Sequence, residues 1–125
     1  MTRTASAERS TKETEIRIEL NLDGEGKTDC ATGLPFFDHM LDQLGRHGGF
    51  DLTVHTKGDL EIDAHHAVED TGILLGSVFA EALGDKVGVR RFASITVPLD
   101  EAAVSVVLDL SGRPFLVYEL SLIHI

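Results

Sequence analysis

Two short patterns recur at one offset, and that recurrence limits the architectures open to this chain. Ile16-x-Ile18-x-Leu20 returns as Ile95-x-Val97-x-Leu99. Gly33-x-Pro35-Phe36 returns as Gly112-x-Pro114-Phe115. The step from Ile16 to Ile95 equals the step from Gly33 to Gly112, which favours an internal repeat over two coincidences. The chain of 125 residues then holds one whole unit and only the opening of a second, and it reads as a fragment. Its length suits one domain with a modest core.

The unit can be read in order. Residues 1–11 are small and polar and are expected to form a flexible arm. From Glu15 to Leu22 apolar and polar residues alternate, the mark of a half-buried strand. Asp23-Gly24-Glu25-Gly26 is a turn, and Lys27 to Ala31 returns as a second strand of a hairpin. Pro35 opens a helix whose apolar stripe is Phe36, Phe37, Met40, Leu41 and Leu44, and Gly48-Gly49 stops it. Asp51 to Lys57 is a strand, and a shorter one is expected over Leu60 to Asp63. A helix follows from Ala64 to Leu83, with Asp63 as N-cap and Val68, Ile73, Leu74, Val78, Phe79 and Leu83 on its buried side. Alternation resumes over Phe92 to Leu99 and again at Val104, Val106, Leu108 and Leu110. Ser111 to Pro114 is a turn, and Phe115 to Leu120 reads as a further strand. The fold class is α+β: a β-β-α-β-β-α unit over residues 12–90, built as a two-layer sandwich of sheet and helices. Residues 91–120 start a second, incomplete repeat, and residues 121–125 form a tail.

Charge and cysteine content narrow the function. The chain carries 11 Lys and Arg against 21 Asp and Glu, a formal net charge of -10. Such a chain does not gather around phosphate backbones, so nucleic acid is not an expected partner. Any phosphate must be held by a few chosen cations. Cys30 is the single cysteine, which leaves no disulfide framework and no thiolate zinc site. The N-terminus lacks the apolar core of a signal peptide, and no apolar run approaches membrane-spanning length. The expected location is the cytoplasm, with no membrane partner.

The stretch Asp63-Ala-His-His-Ala-Val-Glu-Asp-Thr71 carries the most chemistry. On a helix His65 and Glu69 stand one turn apart and point the same way. His66 is rotated from His65 by about 100° and aims at something else, such as a second ion. Imidazole and carboxylate ligands without thiolate suit Mn, Fe, Zn or Ni, with Mn favoured as oxygen ligands are added. A polar helix N-terminus would explain the acids through the helix dipole but leaves the paired histidines unexplained. His39, near the start of its helix beside Asp38, is a further candidate ligand. His47, on nearly the same face, fits either a substrate contact or a surface histidine. His55 and His124 carry no signal. Arg91 and Arg113 are candidates for an anionic substrate, since guanidinium groups grip phosphate oxygens; solvated or carboxylate-paired arginines are the alternative. Asp100-Glu101 reads as a solvated turn, and Glu13 by itself says nothing.

Four motifs in order carry a resemblance. They are G-L-P-F-F-D-H-M-L-D-Q-L-x-x-H from Gly33 to His47, D-A-H-H-x-V-E-D-T-G-I from Asp63 to Ile73, P-L-D-E-A from Pro98 to Ala102, and D-L-S-G-R-P from Asp109 to Pro114. Together they resemble imidazoleglycerol-phosphate dehydratase of histidine biosynthesis, from about Thr11 to about Leu120. The resemblance implies two similar β-β-α-β-β-α halves, a large symmetric homo-oligomer with active sites between subunits, and two Mn²⁺ ions per site. It implies metal ligands at His39, His65, His66 and Glu69. Substrate contacts are implied at Glu13, His39, Gln43, His47, His65, His66, Glu69, Arg91 and Arg113, with the two arginines on the phosphate. Glu13 looks like the acid/base group and is grouped with His65 and Glu69 as catalytic. The family's second half carries a further His and a second H-H-x-x-E that complete both metal sites. This chain supplies about half of the ligands. The implied activity is a lyase reaction on a small phosphorylated imidazole. The alternatives are a metal-binding or assembly fragment without turnover, or a metal-dependent phosphohydrolase.

Overall fold

The computed structural model describes residues 2–120, so His124 and the tail 121–125 lie outside the described residues. The chain divides into two compact units, Met1–Val87 and Gly88–Ile125. The division falls three residues before the expected boundary after residue 90.

The first unit is a four-stranded sheet with two helices. Its strands are β1 (Thr4–Ser10), β2 (Thr14–Asn21), β3 (Thr28–Ala31) and β4 (Asp51–Gly58), in the spatial order β1-β2-β4-β3. β1 and β4 each run antiparallel to β2, and β3 runs parallel to β4. Helix α1 (Pro35–Gly48) is the crossover between β3 and β4, and α2 (His65–Leu83) follows β4. The alternation read in β2 sets the core. Ile16, Ile18 and Leu20 are buried, and β4 lays Thr56, Val54 and Leu52 directly beside them. Leu41 from α1 and Leu74, Leu75, Val78 and Ala82 from α2 close over this face.

Several expectations are corrected. The supposed flexible arm is strand β1, an edge strand whose alternate residues are half-buried. Small residues such as Ala5 and Ala7 pack on the core there without giving an apolar run in the sequence. β2 and β3 are not partners in a hairpin. β4 lies between them, because its buried Leu52 and Val54 fit it for the centre, while four-residue β3 takes the edge. Leu60–Asp63 is a turn, in which the Asp59 carbonyl accepts the N–H groups of Ile62 (2.9 Å) and Asp63 (3.3 Å). The turn delays the helix, so Ala64 takes the N-cap position and the Asp63 carboxylate reaches only the His65 N–H at 3.3 Å.

The buried faces of both helices match the expected ones only in part: Leu41, Leu74 and Val78 are buried as expected. Phe36, Met40 and Leu44 on α1 are exposed, whereas Leu41 and Gly45 are buried. A Cβ on Gly45 would stand 2.4 Å from the Thr28 side chain, so glycine lets α1 lie close to β3. On α2 the buried face is Ala67, Thr71, Leu74, Leu75, Val78 and Ala82, while Val68 and Ile73 are exposed. The first turn of α2 sits tight against the sheet end. A Cβ on Gly58 would stand 3.0 Å from that of Ala67.

The second unit is an antiparallel hairpin of β5 (Phe92–Leu99) and β6 (Ala102–Asp109), as the alternation implied. Asp100 turns the chain with φ 52°, a conformation that aspartate tolerates better than most residues, and Asp100-Glu101 is exposed. Phe115–Leu120 forms no strand among the described residues; it is exposed and pairs with neither β5 nor β6.

One carboxylate secures the connection from β2 to β3. Asp51 Oδ1 accepts the N–H groups of Glu25 (2.9 Å) and Lys27 (3.0 Å), which hold its carboxyl below the ordinary range. A depressed carboxylate stabilises the fold above its unfolded-state pKa and loses that contribution as pH falls through the native value. Asp51→Asn should therefore be less stable than the parent at pH 7, with the gap closing below about pH 4. Urea midpoints at both ends of that range check this, and a gap independent of pH would contradict it.

Candidate metal and substrate site

Burial decides which way the first turn of α2 faces. With Ala67 and Thr71 fully buried against the sheet, His65 and Glu69 are left on the open side. His65 Nε2 lies 2.9 Å from Glu69 Oε2, and both side chains are more than half exposed. Neighbouring donors in an octahedral shell, at about 2.1 Å from a metal, stand about 3 Å apart. The pair thus fits one edge of such a shell. The His66 ring stands 5.5 Å from that of His65, with its plane turned by 63°. Its Nδ1 meets Asp59 Oδ2 at 2.8 Å. The two imidazoles stand edge to face and meet different carboxylates, Glu69 for His65 and Asp59 for His66, rather than splaying apart as the helical spacing implied.

Glu13 belongs to the same neighbourhood. It sits in the turn between β1 and β2, which Thr11 organises: the Thr11 hydroxyl accepts the N–H groups of Glu13 (3.2 Å) and Thr14 (3.1 Å). The Thr14 hydroxyl donates to Asp70 Oδ2 at 2.8 Å, tying this turn to α2 one residue beyond Glu69. Arg9 approaches the other Asp70 oxygen at 3.9 Å. The effect reaches His66. The Asp59 hydrogen bond raises its ring above the ordinary imidazole range, burial works against the rise, and the charges of Asp59, Glu13 and Asp70 add to it. Deeper in, the buried hydroxyls of Thr56 and Thr71 bond at 2.7 Å and link α2 to β4.

The other candidates are placed as follows. Gln43 Oε1 and His47 Nε2 meet at 2.8 Å on the exposed side of α1. His39 is exposed on the same helix. Among the described residues no group of three or more His, Cys, Asp and Glu side chains is close enough to hold a metal ion, so His39 is not gathered with His65, His66 and Glu69 into one cluster. In the second unit Arg91 donates to Asp109 at 2.7 and 3.4 Å and lies 4.9 Å from the centre of the Phe92 ring. Asp109 is held below the ordinary carboxylate range chiefly by Arg91, opposed by burial, with a smaller contribution from Arg113. Both arginines therefore act on one carboxylate. His55, read as featureless, bridges Arg17 (3.2 Å) and Asp29 (3.0 Å) on the outer face of the sheet.

Comparison with known proteins decides the family. A family model for imidazoleglycerol-phosphate dehydratase matches residues 32–124. The imidazoleglycerol-phosphate dehydratase of Streptomyces coelicolor is 63% identical over 118 residues, and that of Parafrankia sp. is 64% identical over 118 residues. The chain belongs to the imidazoleglycerol-phosphate dehydratase family. Each of these matches takes in 94% of this chain and 60% of the relative, so the chain spans about three-fifths of their length. The crystal structure of the dehydratase from Staphylococcus aureus aligns with a TM-score of 0.84 at 31% identity, over 97% of this chain and 66% of that one. A structure of the family member from Pyrococcus furiosus gives 0.72 at 35% identity, over 86% and 56%. The Staphylococcus aureus alignment takes in residues of both units.

Three positioning residues escaped the sequence reading. Asp59 stood in an ordinary Gly-Asp turn, Asp70 was one acid among several, and Thr14 was one polar residue at a strand start. A threonine three residues before another, at a strand entrance, is the one local signal, since such hydroxyls cap turns. The Thr14 hydroxyl is buried and its acceptor is charged, a bond worth about 1.5–3 kcal/mol. Thr14→Val should lower stability by about 2 kcal/mol in denaturant unfolding. An unchanged midpoint would remove the tie between the Glu13 turn and α2.

Proposed function

We propose that the protein to which this chain belongs removes water from D-erythro-1-(imidazol-4-yl)glycerol 3-phosphate to give imidazole-acetol phosphate, a Mn²⁺-dependent step of histidine biosynthesis in the cytoplasm. The observation that carries this is the first turn of α2: an imidazole and a carboxylate share one open face while the next imidazole is held by a different carboxylate, Asp59. His65 and Glu69 would hold one ion and His66 another, with His39 as a further ligand. The rest of each shell comes from parts of the family chain that this sequence does not span. Assembly into a homo-oligomer with sites between subunits belongs to the same reading.

The difficulty of the reaction is a C–H proton that is not acidic. The chemistry supplied by Mn²⁺ when bound is positive charge, which lowers the pKa of a bound acid such as the ring N–H of the substrate. The residues of the chain do the rest. Glu13, in the turn that Thr11 organises and Thr14 ties to α2, takes the C–H proton of the second side-chain carbon and passes it to the hydroxide leaving the carbon next to the ring, so that water departs. Arg91 and Arg113 clamp the phosphate and fix the substrate's orientation. Gln43 and His47 are assigned to substrate contact.

For the 125-residue chain alone a second reading has its own support. It is a metal-binding or assembly module without turnover, since the chain carries only about half of the ligands that the family resemblance implies. A phosphohydrolase would instead release phosphate from the same substrate. The test uses the full-length protein, stripped of metal and reloaded with Mn²⁺. Dehydration should depend on the metal, and Glu13→Gln should lower kcat by about 10²–10⁴-fold. Equal rates without metal, or a wild-type rate in Glu13→Gln, would contradict the assignment.

A further inference from the structure

We propose that Asp59 is a positioning residue for His66, fixing its imidazole in the tautomer that carries the proton on Nδ1 and presents a bare Nε2 to a metal ion. The inference rests on the reading of the α2 turn as metal-binding. Asp59 Oδ2 lies 2.8 Å from His66 Nδ1, and the aspartate side chain is 16% exposed against 42% for the histidine. The shared edge of the ring therefore faces inward and the remaining ring nitrogen is left for the open side. Asp59 Oδ1 is buried and has no hydrogen-bond partner among the described residues. A carboxylate so enclosed is costly unless a donor meets it, and His66 Nδ1 is the donor in place.

The backbone holds this arrangement. The Asp59 carbonyl accepts the N–H groups of Ile62 and Asp63, so the residue is pinned at the turn that leads into α2. Neutral imidazole has one N–H, and a donor on Nδ1 leaves the lone pair on Nε2. Carboxylate backing of this kind also makes an imidazole a better ligand. The two histidines then differ in kind. His65 turns its Nε2 to Glu69 on the same open face, whereas His66 has its carboxylate behind it.

The test follows ring tautomer and metal affinity separately in the full-length protein. In metal-free protein with ¹⁵N-labelled histidine, above the pH at which the ring titrates, His66 should show its proton on Nδ1. Asp59→Ala should lose that bias, and Asp59→Asn, whose carbonyl oxygen still accepts, should keep most of it. Titration with Mn²⁺ alone should show affinity about 10–100-fold weaker in Asp59→Ala and much less change in Asp59→Asn. A wild-type ring with its proton on Nε2 overturns the proposal whatever the metal does. Unchanged affinity in Asp59→Ala, alongside a loss in His66→Ala, overturns it as well. Unchanged affinity in both variants overturns the metal reading beneath it.

Discussion

The rotation of α2 about its own axis is the constraint on which the rest depends. Ala67, Thr71, Leu74 and Val78 must meet the inner face of β2 and β4, where Ile18 and Val54 are wholly buried. Apolar burial of this kind is worth roughly 25 cal/mol per Å² and outweighs any single polar contact at the helix end. Once that face is fixed, His65 and Glu69 have only the open side left. The exposure of His65 and Glu69 at the N-terminus of α2 is thus a consequence of packing further along it. Gly58 lets Ala67 approach the sheet end and brings the reactive turn close to the strand connections.

Polar tethers then refine what packing sets. Thr56–Thr71, Thr14–Asp70 and Asp59–His66 each join one of the first two turns of α2 to a different piece of backbone. They bring the Glu13 turn, the end of β4 and the β4–α2 turn to one place. Apart from His66, a ligand in the proposed chemistry, none of these residues is assigned a part in the reaction. They are the supports that keep reacting groups within the small tolerances catalysis demands.

Much of this was legible in the sequence, and the remainder was hidden for definite reasons. Alternation gave β2, β4, β5 and β6 because their apolar residues are large. β1 was missed because Ala5 and Ala7 bury too little to leave a pattern. The β2–β3 pairing failed because a turn between two strands shows that the chain reverses, not that another strand stays out of the gap. The faces of α1 and α2 were legible only in part: hydrophobicity marked Leu41, Leu74 and Val78, whereas Gly45 and Thr71 are buried for their size and hydrogen bonding. The pairing of His65 with Glu69 was readable, since it follows from helix geometry alone. The partners Asp59 and Asp70 were not, since nothing about a Gly-Asp turn says which side chain its acid will meet, and Asp70 contacts a residue far away in sequence.

The central claim is that adjacent imidazoles on one helix turn serve different ions. Crystals of the full-length protein grown with Mn²⁺, measured at the manganese absorption edge, test it directly. The account predicts one anomalous peak bound by His65 and Glu69 and a separate peak bound by His66. A single ion held by both imidazoles, or peaks that avoid this turn altogether, would contradict it.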